Sequence, residues 1–286
     1  MTIYLAGGIT GNINKLWKEY MNLYLAGTYS RPYCIEQAMN LYLAGVQGKA
    51  KGFVIPPEPS KLFILESFYY MDDWMPKLIN QFGSFLLDSG AFTFMSNAKV
   101  KVDWDEYVTK YANFIIQNDI KLFFELDIDS VVGLKEVERL RLKLETMTGK
   151  KCIPVWHYTR GKEYFLKMCD SYPYVAIGGL VTKELPLKTM EKYFPWFISE
   201  AHKRGCKIHG LGYTNLKGLK RFKFDSVDST AWLYGNRGGF VYKFNPKMGT
   251  VDKICAPAGA RLHAREAAIH NFNEWVKFQR YAENHY

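Results

Sequence analysis

Short apolar runs typical of β-strands alternate with helical patterns along most of this chain, and that alternation restricts the folds open to it. Eight runs have strand character, at residues 3–6, 62–67, 84–88, 122–127, 152–157, 174–177, 207–211 and 224–227. Helical periodicity lies between most of them, at residues 104–117, 134–148, 162–169, 188–203 and 215–221. Strands that alternate with helices form parallel sheets. The sequence therefore predicts an α/β fold, with a closed TIM-type (β/α)8 barrel and an open doubly wound sheet as the two candidates.

The residues that follow the predicted strands favour the barrel. Almost every strand ends in polar residues or glycine, namely Glu66, Ser67, Asp88, Ser89, Gly90, Asp127, Asp129, His157, Gly178, Gly179, Gly210, Gly212, Asp228 and Ser229. In a parallel barrel the carboxyl ends of all strands meet on one face, and active sites are built there. We therefore expect these residues to form a single site.

The chain is expected to form one domain. Its 286 residues and 48% hydrophobic content are sufficient for one large core. We predict an N-terminal part at residues 1–60, a barrel core at 61–240 and a basic C-terminal segment at 241–286, in which one long helix from residue 261 packs against the barrel. The heptad MNLYLAG occurs at 21–27 and again at 39–45, with a related IYLAG at 3–7. This is too short for a stacked repeat array, so we interpret the N-terminal part as one strand with an insertion.

The cysteines and the apolar runs indicate the compartment. The five cysteines are scattered and form no CxxC or CxC pair. This pattern predicts neither a disulfide framework nor a zinc site, and it fits a reducing cytoplasm. The N-terminus lacks the basic start and long apolar run of a signal peptide, and no later apolar run is long enough to cross a bilayer. We expect a soluble cytoplasmic protein without membrane contact.

The net charge of +10 is concentrated at the C-terminal end. Residues 201–286 hold 15 Lys and Arg against six Asp and Glu. The cations near the strand at 224–227 include Lys217, Lys220, Arg221, Lys223, Arg237, Lys243 and Lys247. Such a cluster beside a reaction centre is typical of contacts with a phosphate backbone, so we predict a nucleic-acid partner. The alternative is a solvated basic surface that only aids solubility.

Five motifs occur in a specific order: LLDSGAF at 86–92, LDID at 126–129, IGGLVTKE at 177–184, HGLGYTN at 209–215 and FDSVDST at 224–230. This order resembles that of the tRNA-guanine transglycosylases, which carry DSGGF, FDE, GGLAxGE, GxG and FDxVxPT. The similarity covers roughly residues 85–239, and the ordered set is more specific than any single motif. The short chain and basic end are most similar to the DNA-modifying DpdA branch of phages and bacteria, which exchanges guanine in DNA for a 7-deazaguanine.

The resemblance implies roles for two aspartates. Asp228 matches the nucleophile that attacks the anomeric carbon of the target nucleoside and forms a covalent glycosyl-enzyme intermediate. Asp88 matches the general acid/base that handles the proton of the leaving or entering base, and Ser89 and Gly90 beside it allow a tight turn close to the ligand. Asp225 is then the structural residue, although the sequence leaves an exchange of roles with Asp228 open.

The resemblance also implies a pocket for the base. Asp127 matches the aspartate that accepts the ring N–H and amino group of a guanine-like base, and Gly178 and Gly179 match glycines whose backbone N–H groups contact the base carbonyl. His157 stands where the family has a glutamine, so the incoming base can differ in its side group. Two alternatives remain, with Asp127 and Asp129 as a metal or loop pair and His157 as a core histidine.

One feature of the tRNA enzymes is absent from this chain. The CxCxxC plus histidine zinc site is missing, because only one cysteine follows the nucleophile strand. We therefore expect no metal, no zinc subdomain and DNA rather than tRNA as the polymer. In its place stand Trp232, Tyr234, Phe240 and Tyr242, which either stack on unpaired bases or form the core of a surface hairpin.

These observations predict a pentosyltransferase that uses no cofactor and exchanges guanine in DNA for a free base such as 7-cyano-7-deazaguanine, in a host cytoplasm if a phage encodes it. The alternatives are a tRNA-guanine transglycosylase, a nucleoside deoxyribosyltransferase with its base or ribose pocket at the YLAG turns, and a non-catalytic nucleic-acid-binding barrel. Retention of Asp88, Asp127 and Asp228 argues against the last, because a binder has no need to desolvate three carboxylates opposite a polyanion. A homodimer is possible, and the sequence leaves the oligomeric state open.

Overall fold

The computed structural model describes residues 22–26, 62–71, 75–95, 102–180, 185–213, 215–234, 239–257 and 263–286. Its main sheet has eight parallel strands, β1 Asn22–Ala26, β2 Phe63–Ser67, β3 Ser84–Asp88, β4 Leu122–Phe123, β5 Val155–Trp156, β6 Tyr174–Ile177, β7 Lys207–Gly210 and β8 Ser226–Ser229. Their spatial order is β4-β3-β2-β1-β8-β7-β6-β5. The predicted α/β class with a parallel sheet is confirmed.

In the described residues, a single isolated bridge connects the segments next to the two end strands, β4 and β5. The N–H of Ile153 donates to the carbonyl of Phe123 at 2.8 Å, and the N–H of Glu125 donates to the carbonyl of Ile153 at 3.1 Å. Phe124 and Ile153 thereby form a parallel bridge. β5 is shorter than predicted because Pro154 has no N–H for the ladder. The N–H of Val155 next to it donates to the Glu125 carboxylate at 2.8 Å.

Helices follow most of the strands. In the described residues they are α1 Phe92–Met95, α2 Trp104–Gln117, α3 Asp129–Val132, α4 Leu134–Thr148, α5 Gly161–Ser171, α6 Leu187–Lys203, α7 Leu216–Arg221 and α8 Ala264–His285. α2 begins where the Asp103 side chain accepts the N–H of Glu106 at 3.0 Å, which satisfies one of the free donors of its first turn. α4 ends at Gly149, whose φ of 65° suits the left-handed position after a helix.

The core has two layers that follow the alternation of side chains along the strands. Leu65, Leu86, Phe124, Val155 and Ala176 belong to one buried cluster, formed mainly by residues of the strands themselves. The residues on either side of them, such as Phe85 and Leu87 of β3, belong to a second and larger cluster that includes the apolar faces of the helices. Since successive residues of a strand point to opposite faces, these clusters lie on the two sides of the sheet.

The first described strand lies at a position that was not predicted. We expected residues 3–6, which lie outside the described residues, whereas β1 is Asn22–Ala26 in the first MNLYLAG heptad. Leu25 of this strand pairs with Ile64 of β2 and with Ser229 of β8, and it is fully buried. The heptad therefore fills the place between β2 and β8. Residues 39–45, the second copy, lie outside the described residues.

The C-terminal segment forms a hairpin covered by a helix. Strands β9 Phe240–Asn245 and β10 Thr250–Cys255 are antiparallel. The side chains of Asn271 and Glu274 on α8 accept the N–H groups of Tyr242 and Phe244 at 2.7 and 2.6 Å. Gln279 bonds both the N–H and the carbonyl of Phe63, at the amino end of β2. The predicted long C-terminal helix is therefore present, and it packs against the hairpin and against β1 of the main sheet.

Two of the four aromatic residues after β8 belong to the core of this segment. Trp232 packs against Phe272 with ring centroids 5.2 Å apart, and Tyr242 packs against Trp275 at 5.5 Å. Both are buried, which favours the hairpin-core interpretation over base stacking. Tyr234, in contrast, is 57% exposed.

The described cysteines are unpaired: Cys152, Cys169 and Cys206 are buried, and Cys255 is exposed. Among the described helices, none combines the length and the apolar character needed to cross a membrane.

Candidate active site

Two of the predicted carboxylates, Asp127 and Asp228, lie within electrostatic reach of a third, Asp88. Asp88 is the last residue of β3, Asp127 follows β4, and Asp228 is the third residue of β8. Burial raises the pKa of Asp88 to about 7, and the negative charges of Asp127 and Asp228 add to this effect. The prediction that strand ends would bring these side chains together therefore holds for this group.

The turn after β3 fixes the Asp88 carboxyl group. The N–H of Gly90 donates to Asp88 Oδ2 at 3.0 Å, and the hydroxyl of Tyr107 donates to the carbonyl of Ser89 at 2.6 Å. Gly90 has a φ of 71°, and a Cβ there would lie 2.5 Å from Tyr69 Cβ. Only glycine meets both conditions. With a pKa of about 7, Asp88 can hold or release a proton near neutral pH, as a general acid/base must.

Asp228 is held by two donors on the same oxygen. Its Oδ1 accepts the N–H of Gly212 at 2.5 Å and lies 3.2 Å from Nε2 of His209. His209 is fully buried, and its Nδ1 lies 2.5 Å from Oγ of Ser226. His209 is a functional candidate that was not predicted from the sequence. The available signal was a polar residue at an inward position of β7, one residue before the glycine that ends the strand.

Asp225 occupies the other end of β8. Its Oδ2 accepts the N–H of Ile208 at 2.7 Å and lies 2.9 Å from Nε2 of His202 on α6. These contacts join the amino ends of β7 and β8 to a helix. This location agrees with the structural role given to Asp225 and explains why β8 begins after this residue.

Asp127 and His157 are in direct contact. Nε2 of His157 is hydrogen-bonded to Asp127 Oδ1 and lies 3.9 Å from Asp129 Oδ1. Arg160 Nε donates to Asp129 Oδ2 at 2.9 Å. Burial acts to raise the pKa of Asp129, but the hydrogen bond and charge of Arg160 outweigh it and hold that pKa below its usual value. Asp127 follows β4 and His157 follows β5. The structure thus brings these two predicted base-binding side chains into one pair.

Glu125 supports the pair of Asp127 and His157 through its contacts with two arginines, a role that was not predicted from the sequence. It is fully buried between Arg160, whose Nη1 donates to Oε1 at 2.9 Å, and Arg141, whose Nη1 donates to Oε2 at 3.1 Å. Burial raises the pKa of Glu125, while both guanidinium groups oppose that rise. Arg160 therefore joins Glu125 to Asp129 and fixes the loop that carries Asp127.

The ligand atoms of Asp127, Asp129 and His157 lie within 4.8 Å of one another, so these residues could hold a metal ion. Carboxylates with an imidazole suit several divalent ions. The same atoms are engaged with protein partners, since His157 contacts Asp127 and Arg160 contacts Asp129. The expectation that no metal takes part remains a prediction.

The two predicted glycines differ in what they can offer to a base. The N–H of Gly178 donates to the carbonyl of Trp156 at 2.8 Å, so it belongs to the sheet and the predicted contact of this N–H with a base carbonyl is wrong. A Cβ on Gly178 would lie 2.8 Å from Cε1 of His157 and 2.7 Å from Cγ1 of Val155. Gly178 therefore makes room for the His157 ring. Gly179, with a φ of 73°, turns the chain out of β6.

The predicted nucleic-acid-binding cations are divided between the two ends of the strands. Lys217 is exposed in the first turn of α7, which follows the carboxyl end of β7. Lys220 donates to the carbonyl of Met248, and Lys223 donates to the carbonyl of Tyr286 at 3.4 Å. Lys223 precedes β8, so it lies at the opposite end of that strand from Asp228. The expectation that these cations surround the carboxylates is therefore corrected.

The remaining described cations of that set are exposed. Arg221 is exposed at the last residue of α7, with its guanidinium 5.1 Å from the centre of the Phe222 ring. Lys247 is exposed in the turn between β9 and β10 that Lys220 contacts, and Lys243 is exposed on β9. Arg237 lies outside the described residues.

No protein-family model and no curated protein matches this chain. Among solved structures, the carboxyl transferase domain of Rhizobium etli pyruvate carboxylase with pyruvate is similar over 93% of this chain, with 15% identity and a TM-score of 0.44. The chain spans 48% of that structure, about half of its length. QR15, an aldolase, is similar over 75% of this chain and 90% of its own, with 11% identity and a TM-score of 0.44. These similarities are too low to assign a function.

Proposed function

We propose that this protein is a DNA-guanine transglycosylase, a pentosyltransferase that exchanges guanine in DNA for a 7-deazaguanine through a covalent aspartyl intermediate. The observation that carries the proposal is the convergence of Asp88, Asp127 and Asp228, with the pKa of Asp88 raised to about 7 by burial and by the two other charges. A carboxyl group that exchanges a proton near neutral pH, beside a second carboxylate, is the pair that glycosyl transfer requires.

In the first half of the reaction, an oxygen of Asp228 attacks C1′ of the target nucleotide. The C1′–N9 bond breaks, its electron pair moves onto the guanine, and Asp88 gives its proton to the leaving base. A negative carboxylate stabilises the oxocarbenium-like transition state before the new C1′–O bond is complete. The products of this half are free guanine and a glycosyl ester of Asp228.

In the second half, the incoming 7-deazaguanine loses its N9 proton to Asp88 and attacks C1′. The C1′–O bond breaks, and its electron pair returns to Asp228. One C–N bond is formed for each one broken, and the proton returns to Asp88. The exchange therefore needs no cofactor, oxidant or reductant.

In this proposal Asp127 reads the base. A carboxylate that accepts two parallel N–H donors selects a guanine-like edge over adenine. Because Asp127 Oδ1 contacts His157, such two-point reading requires the His157 ring to turn away or to share that oxygen. Gly178 gives the ring the space beside it.

Two further parts of the proposal rest on separate observations. The bridge between Phe124 and Ile153 supports a closed (β/α)8 barrel, because it connects the two ends of the strand order. DNA as the polymer rests on the resemblance of the motifs and on the missing zinc-site cysteines. Lys217 and the exposed Tyr234 lie on the elements that follow β7 and β8, and this position supports a contact with a DNA strand near the carboxylates.

The test is incorporation of labelled 7-cyano-7-deazaguanine into duplex DNA, single-stranded DNA and tRNA. We expect label in DNA with the wild type, none with Asp228→Ala, and wild-type incorporation with Asp252→Asn, which changes an exposed carboxylate on β10. Label in tRNA alone would make the protein a tRNA enzyme. DNA binding without label in any polymer would favour the non-catalytic alternative, and exchange on free nucleosides alone would favour a deoxyribosyltransferase.

A further inference from the structure

A chain of hydrogen-bonded polar side chains leads across three strands to Asp228. The hydroxyl of Tyr174 on β6 is hydrogen-bonded to Oγ of Ser226 on β8. Ser226 Oγ lies 2.5 Å from Nδ1 of His209 on β7, and His209 Nε2 lies 3.2 Å from Asp228 Oδ1. Ser226 is 1% exposed and His209 is 0% exposed. Polar groups this deep in a sheet are retained only when they are hydrogen-bonded.

The chemistry of the acceptor fixes the direction of these hydrogen bonds. An ionised carboxylate only accepts, so His209 must donate its Nε2–H to Asp228. In a neutral imidazole the other nitrogen then accepts, so Ser226 donates its hydroxyl proton to Nδ1. The Ser226 oxygen in turn accepts from the Tyr174 hydroxyl. All donors therefore point along the chain towards Asp228.

We propose that His209 is the positioning residue of the nucleophile, and that Oδ2 of Asp228 is the oxygen that attacks C1′. This inference rests on the proposed function. Both described donors, the His209 Nε2–H and the Gly212 N–H at 2.5 Å, converge on Oδ1. They fix the orientation of the carboxylate and direct Oδ2 to the sugar.

The same two donors act in both halves of the exchange. In the glycosyl ester, Oδ2 is bonded to C1′ and Oδ1 is the carbonyl oxygen. When the C1′–Oδ2 bond breaks, the returning electron pair spreads over both oxygens. Donors that are already in place on Oδ1 stabilise this charge without reorganisation. His209 thereby makes Asp228 a better leaving group as well as an oriented nucleophile.

The variants that test this are His209→Leu and His209→Gln, with Ser226→Ala as a third. Leucine removes the donor, whereas glutamine has a terminal N–H₂ that can reach the same oxygen. We expect His209→Leu to slow formation of the covalent DNA adduct by roughly 100-fold, the usual effect of losing one donor of this kind. His209→Gln should recover most of that rate, and the affinity for DNA should be the same in both. Ser226→Ala should have a smaller effect. It removes the hydroxyl that fixes the tautomer of the His209 ring, but the ring itself remains beside Asp228.

The second readout is the tautomer of His209 by ¹⁵N NMR of the free protein. We expect a neutral ring with the proton on Nε2, assigned by the loss of its signal in His209→Gln, and a proton on Nδ1 would overturn the inference. Thermal unfolding identifies variants that fail to fold. If the wild type forms an adduct and a folded His209→Leu forms it equally fast, this inference alone fails. If the wild type forms no adduct with any polymer, the proposed function fails and this inference with it.

Discussion

The carboxylates of Asp88 and Asp228 interact electrostatically although β1 and β2 separate their strands in the sheet. In a flat sheet, strands β3 and β8 would lie three spacings apart, about 14 Å. Their charges would then be largely screened by water. The sheet is therefore curved enough to bring its polar strand ends together. The chemistry of the site depends on this curvature, which no single motif of the sequence encodes.

The raised pKa of Asp88 predicts how stability changes with pH. The pKa rises from 3.8 in the unfolded chain to about 7 in the folded protein, so folding favours the protonated form. The stability that this provides is complete below pH 4 and is lost as the pH rises through 7. Asp88→Asn should therefore match the wild type at pH 4 and be more stable at pH 8, by up to about 4 kcal/mol. Urea unfolding at both values measures the difference, and an equal difference at both would contradict the pKa.

The same substitution separates stability from catalysis. Asparagine can neither give a proton to guanine nor take one from the incoming base. Asp88→Asn should thus lose base exchange by about 100-fold or more while it gains stability at pH 8. A variant that is stabilised and still active would remove Asp88 from the mechanism. Asp252→Asn serves again as the exposed control.

Gly178→Ala tests the space reserved for His157. The new Cβ would approach Val155 Cγ1 at 2.7 Å and His157 Cε1 at 2.8 Å, so neighbours must shift. We expect a loss of about 1–3 kcal/mol in unfolding free energy and a higher KM for the incoming base, because His157 and Asp127 move together. Gly149→Ala is the matched control: its φ of 65° strains an alanine, but nothing lies within 4 Å of the new Cβ. It should lower stability without changing KM. If KM is unchanged in Gly178→Ala, the position of His157 does not affect base binding.

Much of the fold could be predicted because its signals are local. The helical periodicity of apolar residues placed α2 and α4 correctly, and the apolar runs with their polar ends placed β3 and β6. β1 could not be located in this way, because MNLYLAG occurs twice and the related IYLAG once. Local patterns do not show which of these segments pairs within the sheet. The choice depends on pairing with β2 and β8, which are distant in sequence.

The site was predictable in part for a related reason. Asp88, Asp127 and Asp228 follow or end strands, where polar residues are conspicuous. His209 and Glu125 lie within or beside strand segments that read as core, so their partners on other strands could not be inferred. The basic residues near Asp228 in sequence were assigned to its surroundings. Lys223 lies before β8 and Asp228 lies near its carboxyl end, so this four-residue strand separates the two side chains.

Chelation decides whether the cluster of Asp127, Asp129 and His157 holds a metal. His157 is already hydrogen-bonded to the Asp127 carboxylate, and Arg160 to that of Asp129. We therefore expect dialysis against EDTA to leave base exchange unchanged. Elemental analysis of the purified protein should find less than one equivalent of any divalent metal. A stoichiometric metal that is lost in Asp127→Asn, but retained in Asp252→Asn, would instead identify a metal centre and a metal-dependent reaction.

The positions of the lysines predict which of them contact DNA at the site. Lys217 lies in the first turn of α7, after the carboxyl end of β7, whereas Lys223 lies before the amino end of β8 beside Tyr286. A phosphate contact contributes about 0.9 to the slope of log K against log salt concentration. Lys217→Gln should therefore weaken binding and reduce the slope by about this amount, whereas Lys223→Gln should change neither. Both variants remove one exposed lysine, so a difference between them reflects position rather than net charge. Equal effects would show that DNA also follows the basic surface at the amino ends of the strands, and the bound polymer would then extend along the strands from one end of the sheet to the other.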